Sequence, residues 1–92
     1  MLFSHPDQVV LFSTFGFGKT LSGHVISSIY AAHSLRCMEL CLTTKDCKSF
    51  NYSGSKRICE MNSSTAKKHK NGYRESKDFD YYEALQHTVI GE

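Results

Sequence analysis

The chain has 92 residues, with 11 Lys and Arg against 9 Asp and Glu, for a formal net charge of +2. So mild a charge excludes the broad cationic footprint of a nucleic-acid-binding domain, and no run approaches the roughly 18 to 20 apolar residues of a membrane span. The length allows one domain with a modest core, for which six Phe and five Tyr are available, and four Cys offer the covalent staples such short chains often use.

Residues 1–14 read as a leader or first strand, with Pro6 early in the segment. They lack a basic stretch followed by an uninterrupted apolar run, so no signal peptide is visible. Across residues 8–29, apolar runs alternate with Gly and Ser, which predicts two or three short strands separated by turns. Within this region GFGKT (16–20) invites comparison with a phosphate-binding loop. That loop needs a glycine five residues before the Gly-Lys-Thr, where Ser13 stands, and a helix after it; a turn between strands is the better reading.

Residues 34–44, SLRCMELCLTT, contain neither Gly nor Pro and predict a short helix. Ser34 is the expected N-cap. Cys37 and Cys41 stand four apart, on one helical face, and Leu35, Met38 and Leu42 give that side an apolar surface. In CKSFNYS (47–53), Phe50 and Tyr52 alternate with Ser49, Asn51 and Ser53, which predicts a strand with one buried face. Residues 53–56 supply turn chemistry, and 57–61 form a returning strand carrying Cys59. Residues 62–78 are polar throughout and read as a loop. Residues 78–85 read as a closing strand, with Phe79 and Tyr81 on one face, and 86–92 as a tail or linker.

Cys37, Cys41, Cys47 and Cys59 permit three disulfide pairings, which the sequence leaves open. Nested closure favours Cys41 with Cys47 as a short inner loop and Cys37 with Cys59 as the outer one, worth about 2 and about 3 kcal/mol by chain entropy. Disulfides imply an oxidising compartment: extracellular or cell surface. The rival is a small zinc-binding or enzymatic protein of a reducing compartment. C-x3-C followed by gaps of five and eleven residues fits zinc poorly even with His33 or His69 as replacement ligands, and the C-x-x-C of a redox pair is missing. His5, His24, His33, His69 and His87 are scattered with no nucleophile motif around them, so no catalytic residue, metal or cofactor is expected.

The segments LSGHVI (21–26), SLRCMELC (34–41), CKSFNYS (47–53), CEM (59–61) and YYE (81–83) resemble the PAN/apple family, over most of the chain. The resemblance implies an α+β fold: a curved antiparallel β-sheet with one α-helix packed across it, stapled by two nested disulfides in the pairing given above. Apple domains proper add a third disulfide, for which this chain has no cysteine, so the resemblance is to the four-cysteine PAN subtype. It implies a domain over residues 15–85, acting as an extracellular binding module within a larger secreted or cell-surface protein. The partner would be an extracellular protein or an acidic glycan such as a heparin-like glycosaminoglycan.

Lys67, Lys68, Lys70, Arg74 and Lys77 lie within eleven residues opposed only by Glu75, with His69 among them. Lys56 and Arg57, on the hairpin, could extend this patch, which would concentrate anions by salt-sensitive contacts. The bland alternative is a solvated loop. Asn51-Tyr52-Ser53 and Asn62-Ser63-Ser64 are glycosylation sequons, with Asn62 the better acceptor because it enters the polar loop.

Overall fold

The structure, a computed structural model, describes the backbone of residues 8–89 and the side chains of residues 15–83. Among the described residues, seven strands and one α-helix follow in the order β1 (Gln8–Gly16), β2 (Lys19–Leu21), β3 (Val25–Tyr30), α1 (Ser34–Thr43), β4 (Ser49–Ser53), β5 (Ile58–Asn62), β6 (Tyr73–Glu75) and β7 (Asp80–Val89). The main sheet has the order β1-β7-β4-β5-β3, antiparallel throughout, and β2 with β6 forms a separate two-stranded ribbon. The expected α+β architecture, with one helix on an antiparallel sheet, is the one observed.

Both disulfides form in the nested pattern. Cys37–Cys59 ties α1 to β5 and Cys41–Cys47 ties α1 to the approach to β4, at Cα separations of 5.4 and 5.3 Å. These separations lie inside the range that a disulfide spans without backbone movement. The four sulfurs are thus paired with one another, which removes the zinc reading. Around the bridges, Met38, Phe50, Tyr52, Met61 and Ala31 make the main core, with Leu35, Leu40, Leu42 and Tyr82 packed against it. The Phe50 and Tyr82 rings stack at 4.8 Å.

Several local expectations need correction. His33, not Ser34, is the N-cap of α1, and no side chain caps the helix there. The helix ends without a glycine because threonine hydroxyls take up its last carbonyls: Thr44 Oγ1 donates to the Leu40 oxygen at 2.6 Å and Thr43 Oγ1 to the Glu39 oxygen at 3.3 Å. Second, β4 is buried on both faces, Ser49, Asn51 and Ser53 included. As a central strand it carries the helix on one side and the β2–β6 ribbon on the other. Third, the polar segment 62–78 contains a strand, β6, held by β2.

Strand β7 starts at Asp80, so Phe79 precedes it and lies 5.9 Å beneath the Lys56 ammonium instead of in the core. At its other end β7 continues through residues 86–89, expected as tail, opposite β1. The GFGKT segment is the turn between β1 and β2. Gly18 sits at φ +66°, which favours glycine, and a Cβ on Gly16 would overlap the Tyr73 hydroxyl.

Candidate functional site

A side-chain amide of the sheet pairs with the backbone of the ribbon. Asn51 presents its amide to the backbone of Leu21 as a strand would: the Leu21 N–H donates to Oδ1 and Nδ2 donates to the Leu21 oxygen, each at 2.9 Å. Leu21, Tyr81 and Ala66, with Tyr73, then form a second small core on this face. The Tyr81 hydroxyl accepts from the Ala66 N–H at 2.8 Å and donates to Glu83 Oε1 at 2.9 Å. Burial, ahead of the Glu83 carboxylate, pushes the Tyr81 pKa up to about 12.

These contacts anchor the loop after β5. Ala66, its apolar residue, is held on Tyr81, and at the far end the Gly72 oxygen accepts from the Ser22 N–H at 2.8 Å. Between the anchors the backbone turns tightly, with the His69 N–H on the Thr65 oxygen at 3.1 Å and a 3-10 turn over Lys70–Gly72. So short a span between two fixed points leaves Lys67, Lys68, His69 and Lys70 facing solvent. His24, from the segment before β3, stacks on His69 with ring centroids 3.9 Å apart. His24, the 67–70 run, Asn71 and Gly72 surround an open concavity of about 360 Å³. Among the described residues, no carboxylate forms a salt bridge with Lys67, Lys68 or Lys70.

The cationic residues singled out in the sequence do not form one patch. Arg74 pairs across the ribbon with Thr20 and is exposed there. Lys56 is bridged to Asp78 at 3.4 Å, next to Lys77 in the chain, and Arg57 lies beside the Tyr30 hydroxyl, whose hydrogen bond raises the guanidinium pKa. This second group sits at the Ile58 end of β5 and the concavity beyond its Asn62 end. Five strand residues separate the two by roughly 13 Å or more. Lys56 and Arg57 therefore do not extend the Lys67, Lys68 and Lys70 cluster. The sequence reads His24 and His69 as scattered because they lie 45 positions apart and are brought together only by the fold. His33 is apart from both, at the start of α1.

Neither sequon presents its amide to solvent. Asn51 and Asn62 are each 0 % exposed. Asn51 Nδ2 is engaged with Leu21 and with Glu60 Oε1, and Asn62 Nδ2 donates to Ser49 Oγ at 3.1 Å. Asn62, expected at the entry to the polar loop, ends β5 inside the sheet, before the loop reaches solvent.

A helix bound by nested disulfides to a mixed-order antiparallel sheet, with a small ribbon on the opposite face, makes a disulfide-stapled α+β domain in which no thiol is free. The PAN domain family model matches residues 16–86, and the chain belongs to that family. PAN domains are protein- and carbohydrate-binding modules, not enzymes, and are typically extracellular. No curated protein and no solved structure matches the chain significantly. Among the described residues, no helix is long and apolar enough to cross a membrane.

Proposed function

We propose that this PAN domain works outside the cell, as one module of a larger secreted or surface protein, and binds an acidic ligand of the heparin-like glycosaminoglycan type. One observation carries the reading: Lys67, Lys68 and Lys70 line a single concavity with His24 and His69, on a loop fixed at both ends, without a carboxylate to neutralise them. A pre-set cationic loop loses little conformational entropy on binding and gives contacts that salt screens. Arg74 sits on the ribbon and does not line the concavity. Lys77, Lys56 and Arg57 lie outside it.

Chromatography on immobilised heparin tests this. The wild type is expected to elute well above about 0.15 M salt. Replacing Lys67, Lys68 and Lys70 together with Ala lowers the eluting salt and leaves the melting temperature unchanged, because these side chains support no core. Lys56→Ala with Arg57→Ala leaves the elution unchanged. Elution of the wild type at physiological salt, or a triple variant that elutes like it, overturns the proposal in favour of a protein ligand.

A further inference from the structure

Strand β3 ends the main sheet, and among the described residues nothing pairs with its outer edge. Val25, Ile26, Ile29 and Tyr30 are 41, 46, 38 and 67 % exposed, a concentration of apolar surface on one strand that is found nowhere else among residues 15–83. Natural edge strands are commonly blunted by a charged side chain or a proline, and VISSIY contains neither. Its pairing with β5 is irregular between Val25 and Ser27, where Ile26 is an extra residue. Val25, Ser28 and Tyr30 share the face of their partners Asn62, Glu60 and Ile58, while Ser27 and Ile29 share that of Met61 and Cys59.

We infer that the β3 edge pairs antiparallel with the β3 edge of a second copy of this chain. A two-fold axis perpendicular to the sheet keeps each face on its own side, so residues opposite one another must share a face. With Ser28 opposite itself on the axis, Ile29 of each copy meets Ser27 and the adjacent Ile26 of the other, and Val25 meets Tyr30. Every apolar residue of the strand then has an apolar neighbour, and each contact occurs twice. The strand carries no formal charge, so the copies approach without like-charge repulsion along the seam. This internal match favours a second copy over an unrelated strand, which would have no reason to fit the irregularity at Ile26. A six-residue edge buries less than the roughly 800 Å² per partner of a stable interface, so the dimer is weak and reversible. The inference stands apart from the glycan reading, since it uses none of Lys67, Lys68 or Lys70.

Sedimentation of the purified chain from about 10 μM to about 1 mM tests it. The wild type is expected to pass from monomer to dimer, with amide exchange over residues 25–30 slowing as concentration rises. Ile26→Lys and Ile29→Lys, each at an exposed position, raise the dissociation constant more than about tenfold while the melting temperature is kept, since each substitution enters a two-fold interface twice. Ser28→Cys gives an intermolecular disulfide on mild oxidation, because directly opposed Cβ atoms in a sheet stand about 5 Å apart. A monomer throughout the range overturns the inference, as does a dimer that ignores both lysine variants and protects amides elsewhere. A monomer that takes up an added strand-forming peptide on the same amides also overturns it, and assigns the edge to a foreign strand.

Discussion

The two faces of β4 are both buried, yet they are made of opposite chemistry. Towards the helix, Phe50 and Tyr52 pack with Met38, Met61 and the Cys37–Cys59 bridge, and the one polar atom, the Tyr52 hydroxyl, donates to the Ala31 oxygen at 2.8 Å. Towards the ribbon, Ser49, Asn51 and Ser53 are equally enclosed, each by specific partners. Ser49 Oγ donates to the Ser64 oxygen at 2.6 Å, Asn51 bonds Leu21 at both ends of its amide, and Ser53 Oγ accepts from the Lys56 N–H at 3.1 Å. An apolar side chain gains by leaving water for almost any neighbour. Burying a polar one is costly unless a partner arrives at hydrogen-bond distance, and among the described side chains Asn62 Oδ1 alone is buried without one. Polarity alone therefore does not tell which face of a central strand meets solvent.

Substitutions on the two faces sharpen the contrast. The largest loss is expected from Phe50→Ala, about 3 to 5 kcal/mol by urea denaturation, because the cavity opens under a helix that two disulfides prevent from collapsing into it. A loss below about 1 kcal/mol would mean that the helix face is not the main core. Asn51→Leu, close to isosteric, is expected to cost about 1 to 3 kcal/mol by leaving the Leu21 N–H and carbonyl buried without partners. Its signature is local: amide exchange speeds up in β2 and β6 more than in β4 and β5. If protection falls evenly across the molecule, the amide does not act as the ribbon's dock.

Tyr81→Phe has a smaller effect, about 1 kcal/mol at neutral pH, through the hydroxyl shared by Ala66 and Glu83. Its pH dependence is the sharper test. The folded pKa, about 12, lies above the ordinary value of 10.0, so Tyr81 contributes stability that is complete below about pH 10 and is lost as pH rises towards 12. The alkaline fall in stability should be shallower in Tyr81→Phe than in the wild type. Equal slopes would mean that the buried phenol does not report on folding. Lysine replacements in the loop over Ala66 come last in this series, with no measurable effect on stability.

The same division separates what could be read along the chain from what could not. Helix α1 and the nested bridges were legible because helical spacing of Cys37 and Cys41 and short loop closure are local properties. Phe50 and Tyr52 announced the main core by their alternation, and the hairpin between β4 and β5 by its turn residues. Strand β6 was not legible, since three residues inside a polar segment have no stability of their own and become a strand only opposite β2. The N-cap also misled: Ser34 has the preferred side chain, but the chain enters the helix one residue earlier, at His33.

The sequence alone determined helix α1, the β4–β5 hairpin and a preference for the nested bridges, because helical spacing, turn residues and loop length survive without knowledge of the fold, whereas the pairing of Cys37 with Cys59 across 22 residues was closed by the structure. Only the tertiary structure decided the burial of Asn51 and Asn62, the meeting of His24 with His69, the division of the cationic residues between the two ends of β5, and the open edge at β3. Each of these depends on which element comes to lie beside which. Hydrogen bonds and charge clusters form between residues far apart in the chain, and their energies appear only once packing has brought the partners within a few ångströms.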